Sequence, residues 1–183
     1  MHMAPQTKRW TRAELAQLPD DNNKYEVVRG ELFVTPAPRL RHQQLIVVLA
    51  RLLAAYVARH GLGDIHQARS VMIFDGSEVE PDLMVRPLVR PPLPEWEDAP
   101  IPVLVVEVLS DTTQRRDHVA KRALYLAAGV AEYWIVDGDT RSITVVRRDR
   151  PDELVLGRLV WHPTGATALL EIDAAEMFLE ALG

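Results

Sequence analysis

Two acidic residues and one lysine carry the chemistry this sequence offers. Asp82 closes the segment Val79-Glu80-Pro81-Asp82 ahead of Leu83-Met84-Val85, and Glu107 lies near the end of Val103-Leu104-Val105-Val106-Glu107-Val108-Leu109. A carboxylate in such apolar, β-branched surroundings is costly to desolvate unless a cation or hydrogen bonds compensate it. Mg²⁺ takes hard oxygen ligands, typically one or two carboxylates with several waters; Asp82 and Glu107 supply that number, and the backbone carbonyl of Val108 can add another. Such an ion acidifies its bound water and stabilises the charge that builds when water attacks a phosphodiester, while a nearby ammonium orients the nucleophile or neutralises charge. Lys121 is the candidate ammonium. Together the three point to a metal-dependent phosphodiesterase that uses Mg²⁺, or Mn²⁺ in its place.

These residues need strands and a helix to bring them together. In a strand over 103–109, Val103, Val105 and Glu107 share a face. Ser110 or Asp111 can cap a helix that carries Lys121 and stops at Gly129, and 132–136 returns as a strand. In such a crossover the helix packs back over the sheet. Lys121 can then point toward the strand ends, or pair on an exposed face with Asp117, four residues before it.

Upstream, Lys24–Val28 and Glu31–Thr35 alternate as strands around a tight turn at Arg29-Gly30. Thr11 and Glu14 form a capping-box pattern that opens a short helix closed by Pro19. The longest helix is expected over 42–60, apolar on nearly every face and stopped by Gly61, hence buried by the sheet and by a second subunit. Further strands are expected at 65–68, 71–74, 83–85, 101–109, 143–148, 153–160 and 168–172, with a terminal helix from about Ala174. Pro87, Pro91, Pro92, Pro94 and Pro100 make 86–100 an extended loop, placed to border a substrate groove.

The 183 residues suit one domain. Cysteine is absent, so disulfides and thiolate-ligated zinc are excluded. A formal net charge of −5 argues against binding nucleic acid over the whole surface, a mode that depends on a strong positive field, but not against an enzyme. Asp75, Glu78, Glu80 and Asp82 form an acidic run whose plain reading is solvated surface. Arg115, Arg116 and Arg122 either contact substrate phosphates or line an exposed helix face. The apolar stretch 45–58 is interrupted by Arg51 and falls short of the about 20 residues of a membrane span. With no signal-peptide pattern at the start, a cytoplasmic location without membrane association is expected. His60, His66, His118 and His162 lack paired metal-ligand spacing, and Tyr133 and Trp134 read as core aromatics.

Pro81-Asp82, Val106-Glu107-Val108-Leu109-Ser110, Lys121-x-x-x-Tyr125 and Gly129-Val130-Ala131-Glu132-Tyr133-Trp134-Ile135-Val136-Asp137 resemble the motifs of the Uma-two endonuclease family. Tyr25-Glu26-Val27-Val28-Arg29-Gly30-Glu31-Leu32 and His42 extend the likeness over roughly residues 20–140. The resemblance implies a restriction-endonuclease-like α/β (α+β) fold of the PD-(D/E)xK superfamily: a mixed central β-sheet flanked by helices, with an N-terminal β-hairpin. It makes Asp82 the first acid of the motif and Glu107 the second. Leu109 stands where the superfamily usually has its lysine, so the resemblance makes Lys121 a migrated lysine and favours the site over the surface pair. It also brings Glu31 and His42 forward as edge residues of the site, beside their ordinary readings as a hairpin charge and a helix-entry histidine.

The implied activity is Mg²⁺-dependent endonucleolytic cleavage of DNA by a homodimer, since double-strand cutting needs two sites. The alternative is a catalytically silent nuclease-like fold that binds nucleic acid or a protein. An acid-pair glycoside hydrolase ranks last, because only 6% of the residues are aromatic.

Overall fold

The computed structural model describes residues 8–67, 69–109 and 115–183, with the backbone alone for 115–117. Thr11 opens α1 (Arg12–Leu15) through a reciprocal capping box with Glu14. β1 (Lys24–Val28) and β2 (Glu31–Thr35) form the expected hairpin; Arg29 and Gly30 take φ of 50° and 86°, the two left-handed residues that match strand twist in a two-residue turn. α2 (Leu40–Arg59) stops where Gly61 adopts φ 59°. There the Leu62 N–H donates to the Val57 carbonyl (3.1 Å) and the Gly61 N–H to that of Ala58 (3.2 Å).

The chain continues through β3 (Asp64–Gln67), β4 (Met72–Phe74), β5 (Ser77–Val79), β6 (Leu83–Arg86), β7 (Leu104–Leu109), α3 (Arg115–Ala128) and β8 (Glu132–Asp137). It ends with β9 (Ser142–Val146), β10 (Glu153–Val155), β11 (Arg158–Trp161), β12 (Leu170–Asp173) and α4 (Ala174–Leu182). The central sheet has the order β10-β9-β8-β7-β6-β3. Only its β7–β8 pair is parallel, because α3 carries the chain across between those strands. A second, antiparallel sheet has the order β2-β1-β5-β4, and β11 pairs with β12.

Alternation along β7 sorts its residues between two cores. Leu104, Val106 and Val108 pack with Trp134, Leu49, Leu53 and Phe178, the side covered by α2 and α4. Val105 packs with Tyr133, Leu124, Tyr125, Val28 and Val79, the side covered by α3 and the second sheet. Buried on both faces, β7 reads as a continuous apolar run, which Glu107 alone interrupts. Among the described residues no helix is long and apolar enough to cross a membrane.

Several expectations need correction. The acidic run is not solvated surface: it contains β5, where Ser77 and Val79 are buried and Glu78 pairs with Arg12 at 2.8 Å. Asp75 and Gly76, at φ 50° and 72°, supply the β4–β5 turn, and only Asp75 of the four acids is exposed. Residues 153–160 are two strands in different sheets, separated by a bend at Leu156-Gly157. The proline-rich loop leaves β6 at Arg86, and its 3₁₀ turn Trp96–Asp98 packs on β4 while Glu97 bonds Arg12. It therefore lies at the opposite end of β6 from Asp82 and does not border the site. Ala68, Ser110 and Asp111, proposed above as strand end and helix caps, lie outside the described residues.

Candidate active site

The ladder between β6 and β7 pairs Leu83 with Val106 and stops. One step further the same antiparallel register sets Asp82 opposite Glu107, so the sheet itself juxtaposes the two carboxylates. Beyond that point β6 lends β7 no backbone partner, and Asp82 Oδ2 accepts the Val108 N–H instead (2.8 Å). His42, near the start of α2, holds Asp82 Oδ2 through Nε2 at 3.0 Å.

Lys24 and Glu26 lie two apart on β1 and so share a face with Val28, which packs against α3. Lys24 Nζ stands 3.5 Å from Asp82 Oδ1 and 3.9 Å from Glu26 Oε2, and donates to the Glu80 carbonyl at 3.1 Å. Glu26 Oε1 accepts the Glu80 N–H at 2.8 Å. From α3, Lys121 Nζ lies 2.7 Å from Glu26 Oε2 and 3.2 Å from Glu107 Oε1, and the Tyr125 hydroxyl donates to that same Oε1 at 2.6 Å. Charges thus alternate from Asp82 through Lys24, Glu26 and Lys121 to Glu107.

His118, Lys121 and Tyr125 project from one side of α3 because their spacing is three and four residues. The axial position of that face is set at the helix end, where Gly129 takes φ 95° and the Val130 N–H donates to the Tyr125 carbonyl (3.0 Å).

Burial and charge pull these groups apart in acidity. Burial opposes ionisation of Asp82, but the Lys24 ammonium and the His42 and Val108 hydrogen bonds outweigh it and hold the carboxyl well below its usual range. Glu26, also buried, is likewise held down by Lys121 and Lys24. Glu107 goes the other way: burial, with Asp82 adding to it, pushes the carboxyl up to about 7 despite Lys121. Burial beside Lys121 lowers His118 to about 4, so it is neutral; its Nδ1 lies 3.0 Å from the Tyr133 hydroxyl.

A family model described as "Putative restriction endonuclease", Uma2, matches residues 12–173. The chain belongs to the Uma2 family. A crystal structure described as a putative nuclease belonging to DUF820, from Anabaena variabilis, is similar with a TM-score of 0.79 and 20% identity, over 94% of this chain and 99% of that one. At that identity the likeness is one of fold, and the fold is the mixed, helix-flanked one that the Uma-two motifs imply. No curated protein matches.

The structure brings Asp82, Glu107 and Lys121 of the Uma2 motifs together, and His42 with them. Lys121 is 2% exposed, which removes it from a surface helix face; the side chain of Asp117 lies outside the described residues. Glu31 is not at the site. It is exposed at the turn end of β2, across from Val28, whereas the pocket is reached by Thr35 at the far end of the strand. Arg122 turns away as well, bonding Asp152 at 2.6 Å. The side chains of Arg115 and Arg116 lie outside the described residues.

Lys24, Glu26 and Tyr125 belong to the cluster although residue spacing did not single them out as site groups, and His118 lines the same pocket. Tyr125 was visible within the Lys121-x-x-x-Tyr125 motif. For Lys24 and Glu26 the available signal was their shared strand face, which in a hairpin equally describes a face turned to water.

The donor set fits a divalent ion. Asp82, Glu107 and the Val108 carbonyl offer hard oxygens, and among the described residues the three buried carboxylates Asp82, Glu26 and Glu107 meet the ammoniums of Lys24 and Lys121, with the His42 imidazole also on Asp82. Burial is the main cause of the raised Glu107 value and the Asp82 and Glu26 charges add to it; a cation beside the carboxylates would favour its ionised form.

Proposed function

We propose that the protein is a Mg²⁺-dependent endonuclease that hydrolyses phosphodiester bonds in DNA, with Mn²⁺ able to replace Mg²⁺. The observation that carries this reading is the opposed Asp82–Glu107 pair with the Lys121 ammonium 3.2 Å from Glu107. Membership of a family described as restriction endonucleases supports it.

In this reading Asp82, Glu107 and the Val108 carbonyl hold the metal, which when bound acidifies water and offsets charge on the phosphate. The remaining work falls to the chain's own residues. Glu26 grips Lys121 at 2.7 Å, so the ammonium is held in place before substrate arrives and can neutralise the oxygen that gains charge as water attacks. Tyr125 and Lys121 both donate to Oε1 of Glu107 and so fix that carboxylate. His42 and the Val108 N–H fix Asp82 in the same way. Lys24 is placed to attract the incoming phosphate.

Incubating supercoiled plasmid and single-stranded circular DNA with Mg²⁺ or Mn²⁺ tests the proposal: the wild type should cut at least one of them and Asp82→Asn neither. Equal cutting by both proteins would assign the activity elsewhere. The protein is further proposed to act in the cytoplasm as a homodimer, with the exposed Leu40 and Val47 of α2 available for contact. Light scattering checks the dimer.

A second reading, a silent nuclease-like fold that binds nucleic acid or protein, is favoured by the way Lys24 and Lys121 already partner the carboxylates. Calorimetric titration with Mn²⁺ separates the two, since such a module has no need of metal.

A further inference from the structure

We propose that the site accepts an unpaired DNA strand, such as a single-stranded region or a flap, rather than an intact duplex; this rests on the nuclease reading above. The groups that would meet the scissile phosphate are deep: Glu107 and Lys121 are each 2% exposed and Asp82 7%. They lie at the base of a cavity of about 740 Å³. That is within the roughly 300–1,000 Å³ of pockets that enclose small molecules, a size for one or two nucleotides and not for two strands.

The cavity wall is built by β2 and the segment after it, through Phe33, Val34, Pro36 and Pro38. A phosphate in a duplex is carried on a stiff helix, and its second strand must be seated against this wall as well. A single strand has no such companion, and its backbone can bend inward.

The cavity's polarity has the same form as a nucleotide. Its base sets the ammoniums of Lys24 and Lys121 among the carboxylates of Asp82, Glu26 and Glu107, where the ammoniums can meet a phosphate; its wall is apolar, with Phe33 as an aromatic member, and so suits the face of a nucleobase of any identity. Arg39 and Arg69 line the same cavity, Arg69 standing 3.7 Å from the carboxylate of Glu80, which lines it too. A chain of net charge −5 suits holding one backbone locally better than two along a broad surface.

The test uses one fluorescent oligonucleotide as a single strand, as a blunt duplex and as a duplex with an unpaired flap. Wild-type protein in Mn²⁺ should cut the single strand and the flap at least tenfold faster than the duplex. By fluorescence anisotropy, Asp82→Asn should bind the single strand at least fivefold more tightly. Duplex cut as fast as single strand would overturn the inference and leave the nuclease reading standing. Preferential binding of the single strand with no cutting of any substrate would support the strand preference and overturn the nuclease reading. Neither binding nor cutting would overturn both.

Discussion

Asp82 and Glu107 face each other across β6 and β7 one step past the last ladder pair, Leu83 and Val106. Like charges directly opposite on a sheet repel, so the pair persists only because other groups compensate it: Lys24, His42 and the Val108 N–H at Asp82, Lys121 and Tyr125 at Glu107. Asp82→Asn and Glu107→Gln preserve shape and remove one of the opposed charges. Each should lower cleavage on the order of 10²–10³-fold while the near-ultraviolet circular dichroism stays native. Activity retained in both variants would remove the pair from the chemistry.

Lys121 compensates two carboxylates at once, Glu26 at 2.7 Å and Glu107 at 3.2 Å. Lys121→Met strands both in the interior and should destabilise the protein by about 3–5 kcal/mol in urea unfolding. Glu26→Gln added to Lys121→Met removes one stranded charge. The double variant should be more stable than the sum of single effects predicts, by roughly 0.5–3 kcal/mol. Additive effects would mean that Lys121 and Glu26 do not depend on each other.

His118 gives the fold a pH dependence of definite sign. Its folded value is lowered to about 4 from 6.5, so the unfolded chain takes up a proton in a range where the native state does not. The associated stability is complete about a unit above pH 6.5 and is lost as pH falls toward 4, on the order of 3 kcal/mol. In His118→Gln the unfolding midpoint should be flatter across that window. An unchanged slope would place the acid sensitivity in other groups.

Metal binding to the native state should raise stability by mass action, about 2.7 kcal/mol at a concentration 100 times the dissociation constant. Mg²⁺ or Mn²⁺ is therefore expected to raise the melting temperature of the wild type and to do little for Asp82→Asn. The same shift in both would locate the ion away from Asp82.

Local rules made much of the scaffold legible. The Arg29-Gly30 turn, the helix stops at Gly61 and Gly129, and the apolar run of β7 interrupted by one acid follow from backbone sterics and from the cost of leaving apolar side chains in water. Asp82, Glu107 and Lys121 could be named because an acid inside an apolar strand is conspicuous and because their motifs resemble those of a known family. β5 is not legible in the sequence because its alternating Ser77-Glu78-Val79 carries few apolar residues, although Asp75-Gly76 supplies the turn that starts it.

What the tertiary structure alone decided is which charges are inside. Glu26 and Lys24 look like any polar residues on a hairpin; Glu26 becomes buried and Lys24 half-buried because β5 pairs with β1 and α3 lies across the face they share. Glu31, equally charged and only five residues from Glu26, stays at the solvent end of the same hairpin. Propensity and periodicity act over a few neighbouring residues, whereas the balance of charge around Glu107 is set by groups from β1, β6 and α3 that meet only when the chain is packed.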